Sequence, residues 1–114
     1  QKMLKATSRN TVRSRSRTGK PTRQLQSAWS DAWGAKDAPE PLAMPLQGLL
    51  SRPPMAKVDK LAESGHDGAK NLAAYFVGQA VGLMNTEQSA RSVVADFMKD
   101  YAEAVERLSG TLHE

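Results

Sequence analysis

Five of the six prolines in this chain, Pro39, Pro41, Pro45, Pro53 and Pro54, fall between residues 35 and 56. A proline fixes its own φ, donates no backbone hydrogen bond and restricts the residue before it, so this density predicts an extended arm and not a long regular element. One or two helical turns are expected at most, over Leu46 to Leu50. The arm is nonetheless rich in Leu42, Met44, Leu46, Leu49, Leu50 and Met55. Apolar side chains on an extended arm need a surface to cover them, and a patch of this size in a lone domain would promote association.

The rest of the chain is organised around that arm. Residues 1–20 read as the end of a helix at 2–7, a short strand from Thr11 to Arg17, and a Thr18-Gly19-Lys20-Pro21 turn. In the strand Val12, Ser14 and Ser16 alternate with Arg13, Arg15 and Arg17, the period of an extended chain. Residues 21–34 read as a helix from about Arg23 to Trp33, capped by Thr22 and stopped by Gly34, with Leu25, Ala28, Trp29, Ala32 and Trp33 on one face. The two tryptophans suit core or interface packing better than an aromatic ligand site.

Beyond the 35–56 arm, residues 57–84 give a weak helix over Lys57 to Glu63, a polar loop from Ser64 to Gly68 and a glycine-containing apolar segment. His66 reads as a surface loop residue. Residues 85–110 give the strongest helix, with Asn85 and Gln88 at capping-box spacing and Gly110 as its stop. Ala90, Val94, Phe97, Tyr101, Ala104 and Leu108 form its apolar stripe, and Glu103 is placed to pair with Arg107. The fold class expected is mainly α with one short strand.

Length and composition exclude several functions. One hundred and fourteen residues cannot hold a complete (β/α)₈ barrel, which takes roughly 250. The absence of cysteine removes disulfides, thiol nucleophiles and Cys-ligated metals, and His66 and His113 are too few for a His-rich metal site. Apolar residues at 39% predict a thin independent core. The longest apolar stretch, Leu72 to Leu83, is short of the ~20 residues that span a bilayer, and no secretory signal opens the chain, so the expectation is a soluble, cytoplasmic protein. An opening Gln1 suggests a processed product or a piece of a longer chain.

Charge is unevenly spread. Residues 1–30 hold eight basic residues and no acid, whereas the rest hold eight basic and twelve acidic groups. A basic head of this kind fits a nucleic-acid arm or a segment that packs beside acidic surface. It carries no aromatic residues for base stacking before Trp29, and no zinc, RRM or KH pattern is present.

Chemistry concentrates in the segment 71–84, where Gln79 lies between Gly78 and Gly82 among apolar residues. In such apolar surroundings the Gln79 amide should have a backbone, ligand or water partner, since an unpaired one costs about 1–3 kcal/mol. The Gly78/Gly82 spacing matches neither a dinucleotide nor a P-loop fingerprint. Gln47 and Asn71 could supply similar hydrogen bonds.

The order of TVRSRSRTGKPTRQLQSAWSDAW, PEPLAMPLQ and FVGQAVGLMN before an amphipathic helix resembles the carboxyl-terminal portion of nitronate monooxygenases, also called 2-nitropropane dioxygenases. Its specific pieces are Gly19-Lys20-Pro21 with Arg23 and Leu25, Pro45-Leu46-Gln47, and Val77-Gly78-Gln79 with Gly82. The resemblance implies the end of an FMN-dependent flavoprotein built on a (β/α)₈ barrel, which oxidises alkyl nitronates with O2 to carbonyl compounds and nitrite. It implies that the remainder of the barrel is this segment's partner, with a homo-oligomer possible.

The FMN phosphate loops and catalytic histidine of that family have no match here, so no catalytic residue and no metal ligand is expected on this chain, and no FMN is expected to bind it alone. Gln79, with Gly78 and Gly82 shaping the backbone, is the candidate for the cofactor-side rim of the active site. The same residues could equally seat the final helix against the barrel. The alternative classes are a small basic nucleic-acid-binding module and a protein-interaction module using Trp29, Trp33 and the arm.

Overall fold

The computed structural model describes residues 1–112; His113 lies outside them. Helix α1 (Lys2–Lys5) and a 3₁₀ turn (Ser8–Asn10) lead into strand β1 (Thr11–Ser14), which pairs antiparallel with β2 (Thr22–Leu25). Their register sets Val12 opposite Gln24 and Arg13 opposite Arg23. The alternation read in the basic segment places Ser16 inside and Arg13 and Arg15 outside, although regular pairing stops at Ser14. The turn between the strands needs Gly19, whose φ is +85°. A Cβ there would lie 2.5 Å from the Met44 nitrogen and 2.7 Å from the Leu42 oxygen.

The helix expected from Arg23 is replaced by β2, and the one-strand expectation becomes a hairpin. The cause is pairing on both edges. Beside its bonds to β1, β2 donates from Leu25 to the Tyr75 carbonyl at 2.9 Å, and Arg23 accepts from Val77 at 3.2 Å. The helix therefore begins later, as α2 (Ala28–Gly34), where Ser27 and Ser30 form the capping box and Thr22 does not. Trp29 and Trp33 are half-buried, their rings 5.8 Å apart and tilted at 45°, while Ala28 and Ala32 are exposed.

The arm is shorter than its prolines suggest. It ends at Pro45, after which α3 (Leu46–Glu63) runs for 18 residues with Pro53 and Pro54 inside it. Both prolines are exposed, and the opposite face carries the anchors Gln47, Ser51 and Met55, four residues apart and nearly solvent-free. The Gln47 amide donates to the Ser16 carbonyl at 2.6 Å and accepts from the Leu42 nitrogen at 3.0 Å, and the Ser51 hydroxyl donates to the Arg17 carbonyl at 2.6 Å. Tertiary bonds along one face hold a helix whose own ladder the prolines interrupt. The weak helix expected over 57–63 is the end of this one.

The expected 64–68 loop is present over Ser64 to His66, and its last two residues open α4 (Asp67–Leu72), capped by His66 through Nδ1, which accepts from the Ala69 nitrogen at 3.2 Å. Helix α4 packs on α3. A 3₁₀ turn (Gln79–Leu83) then sets Val81, fully buried, against Ala6 and Leu25, with Met3, Tyr75 and Val77 around them. This cluster and the Met55, Ala69, Ala73 and Ala74 group make up the thin core.

The last helix, α5 (Ala90–Leu112), starts four residues later than expected and runs through Gly110. Ser89 provides the cap in place of Asn85, its hydroxyl accepting from the Ser92 nitrogen at 3.1 Å. The ion pair on it joins Lys99 to Glu103 at 3.7 Å, and the expected Glu103–Arg107 pair is not formed. No residue of α5 is buried. The helix projects from the body, which gives extents of 59 × 31 × 23 Å and a radius of gyration of 18.8 Å, against about 13 Å for a compact chain of this length.

Candidate functional site

The segment carrying Gln79 follows directly from the strand edge at Phe76. Gly78 is extended (φ −81°, ψ 170°) and opens the 3₁₀ turn. Gln79 lies on the surface and not in an apolar interior, which corrects the reading of it as a buried amide in need of a partner. The apolar residues around it in sequence point elsewhere, Val81 inward and Leu83 outward. Gly82 is fixed by close approach, since a Cβ there would meet the Ser8 nitrogen at 3.0 Å and the Thr7 Cα at 3.4 Å, whereas at Gly78 it would meet only the Ala80 nitrogen at 3.9 Å.

Gln79 and Gly82 share the wall of a groove of about 440 Å³ with Thr7, Ser8, Ala80 and Leu83. The polar groups there are hydroxyls, backbone and one amide. No side chain in this set carries a positive charge to hold a phosphate, so the groove does not fit an FMN by itself. It can offer hydrogen bonds to a polar group brought to it from outside.

The other two amides have different places. Gln47 is buried and both ends of its side chain are occupied, so it is a strut between the arm, α3 and the hairpin. Asn71 is exposed on α4. The glutamine that sequence reasoning passed over is Gln24. It is fully buried on β2, and neither its Oε1 nor its Nε2 has a partner among the described residues. Assigning 23–33 to a helix hid it; only the strand assignment puts Gln24 opposite Val12 on the inner face.

Arg17 is a second missed residue. The period-two pattern puts it with Arg13 and Arg15 on the solvent face. Beyond the paired strand it turns inward, donates from Nη1 to the Ala74 carbonyl at 3.1 Å and lies 5.2 Å from the centre of the Phe76 ring. Burial lowers its pKa and the charge of Asp59 opposes that shift. Met3, Arg17, Asp59, Glu63, Ala74, Tyr75 and Phe76 line a groove of about 450 Å³. A wider hollow, about 590 Å³, is rimmed by Lys2, Lys5 and Lys70 over Met3 and Tyr75. The Lys2 ammonium donates to the Lys70 carbonyl, and Lys70 pairs with Asp67 at 3.0 Å.

Among the described residues no group of three His, Cys, Asp or Glu side chains could hold a metal ion. No helix among them is long and apolar enough to cross a membrane.

Comparison with known proteins places this geometry in a longer context. The chain is 48% identical over 109 residues to "Putative monooxygenase Rv1533" of Mycobacterium tuberculosis; the match covers 96% of this chain and 29% of that protein. The chain thus spans less than a third of the relative's length. No family model matches the chain, and no solved structure matches it.

Proposed function

We propose that this chain is a non-catalytic segment of a monooxygenase-type enzyme, with its reactive centre in polypeptide outside these residues. The observation that carries the reading is 48% identity along 96% of the chain to a protein named as a monooxygenase, of which the chain spans 29%. The exposed apolar residues of the arm and α5 support it, because they suit a segment that packs on a larger body.

The finer reading follows the sequence resemblance. The parent is a flavin-dependent nitronate monooxygenase on a (β/α)₈ barrel, oxidising alkyl nitronates with O2 to carbonyl compounds and nitrite, and this segment is its carboxyl-terminal portion. The FMN is held by the remainder of the barrel. Gln79 contributes at the rim of the active site: its amide is exposed, Gly82 locks the turn that presents it against Thr7 and Ser8, and Gly78 is the extended residue that opens that turn.

The test uses the natural gene product. Its intact mass should be several times the 12.4 kDa of this chain, and the purified protein should be yellow and consume O2 when given an alkyl nitronate. The 114-residue chain alone should be colourless and inactive. A natural product of this chain's own mass overturns the parent reading, oxygen consumption without nitronate dependence overturns only the substrate, and flavin retained by the short chain overturns the placement of the cofactor.

A further inference from the structure

Helix α5 is about 34 Å long at 1.5 Å per residue. Along it Val94, Met98, Tyr101, Val105, Leu108 and Leu112 follow one another at alternating steps of four and three, the heptad spacing of a helix built to be covered. All are exposed, Tyr101 at 68% and Leu112 at 75%. The residues flanking this seam, Ala95, Phe97, Ala102, Ala104, Ser109 and Thr111, are uncharged as well. Every charge from Asp96 onward, at Asp96, Lys99, Asp100, Glu103, Glu106 and Arg107, falls on the remaining three heptad positions.

The width of this face selects its occupant. A two-stranded coiled coil buries the narrow seam and carries charges on its flanks, which set the partner and its direction. Here four of seven positions are uncharged, and a second copy of α5 would leave Phe97 and its neighbours in water. A lipid surface is disfavoured, because the polar face has four acids against two bases and would be repelled by anionic headgroups. A face this broad fits a helix lying in the groove between two or more elements of a globular body. The relative supplies a body of the right scale, since more than two-thirds of its length lies outside the match.

We infer that the Val94–Leu112 face of α5 docks on an apolar flank of the polypeptide that accompanies this segment in its parent, and not on another copy of this chain. The inference rests on the proposed reading of a longer parent. Met84 to Ser89, which carries no helix or strand, is the tether that lets α5 stand off the body in the 114-residue chain.

The test uses cysteine labelling, because this chain has no cysteine of its own. Single substitutions Phe97→Cys and Val105→Cys on the face, with Asp96→Cys and Glu103→Cys on the charged side, are made in the 114-residue chain. The same four are made in a chimera of the Mycobacterium tuberculosis relative whose matched part is replaced by this chain. Labelling rates are read on the substituted peptide by mass spectrometry. In the short chain all four should react alike at every protein concentration. In the chimera the two face positions should slow about tenfold or more, with the charged-side pair unchanged.

A face no better protected than the charged side in the chimera overturns the inference. So does face protection in the short chain that grows with concentration, which would mean a second copy. Hydrogen exchange of the unsubstituted short chain gives a reading free of any mutation: α5 amides should exchange fast at all concentrations, and concentration-dependent protection again overturns the docking. Oxygen consumption by the chimera is measured separately, so a protected face in an inactive chimera would sink the enzymatic reading while leaving the docking standing.

Discussion

Gln24 and Gln47 are both fully buried amides, yet they should respond to substitution in opposite directions. Gln47 joins Leu42 and Ser16 across the arm and hairpin, so Gln47→Ala breaks two bonds and leaves backbone groups unpaired, at a cost of about 1–3 kcal/mol. Gln24 has no partner among the described residues, so Gln24→Met keeps the volume, removes a desolvated amide and should stabilise by about 1 kcal/mol or more. Denaturant midpoints separate the two, and a destabilised Gln24→Met would mean that the amide is bonded after all. The glycines divide in the same way. Gly82→Ala forces a Cβ against the Ser8 backbone and should cost about 1–3 kcal/mol, whereas Gly78→Ala meets nothing closer than 3.9 Å and should be tolerated within about 0.5 kcal/mol. Gln79→Ala should leave the melting temperature of this chain unchanged, because its side chain is exposed. In the natural enzyme the same substitution should lower nitronate turnover or flavin retention if Gln79 stands at the rim.

Helix α3 tests how far local preference yields to packing. Pro53 and Pro54 each cost about 3 kcal/mol in a helix interior, and both sit on the exposed face away from Gln47, Ser51 and Met55. Replacing both by Ala should raise helix content by circular dichroism and raise the melting temperature; a fall in either would show that the prolines shape the arm's entry. This helix also marks the limit of what the sequence made legible. The hairpin's first strand, the turn at Gly19 and α5 carry their signals locally, in alternation, a positive-φ glycine and heptad spacing. The second strand does not, because TRQL joins a helical pattern running to Trp33 and becomes a strand only through bonds to residues 11–14 on one side and 75–77 on the other. Likewise α3 survives its prolines through bonds to Ser16 and Arg17, some thirty residues away in sequence. At the candidate site Gln79 and its flanking glycines could be singled out from sequence, but the exposure of Gln79, the burial of Gln24 and the inward turn of Arg17 could not, because they depend on how distant segments pair and pack.

The whole molecule is elongated, with a basic end, an acidic helix and apolar surface on the arm and α5, so its charge should act in a limited way. Eight basic groups precede the first acid, which by count alone would allow a strong attraction to nucleic acid. The fold withdraws several of them. Arg17 is tied to Ala74 and Phe76, Arg23 Nη1 donates to the Thr11 hydroxyl at 2.8 Å, and Arg15 Nε donates to the Gly19 carbonyl at 3.0 Å. Those left for phosphate are spread over α1, the Ser8–Asn10 turn, the hairpin and its turn, and only Lys2 and Lys5 share a hollow, where Lys70 is paired with Asp67. Each neutralised phosphate contributes a slope of about −0.9 in log K against log salt, so a handful of contacts gives binding that fades steeply as salt rises. Duplex DNA should therefore bind weakly at low salt, without sequence preference, and be released near about 150 mM salt. Replacing Arg13 and Lys20 by Gln should flatten the slope by about two units in a fluorescence anisotropy titration. Tight binding that persists at physiological salt and disappears with these substitutions would instead make the head a nucleic-acid arm and displace the enzyme-segment reading.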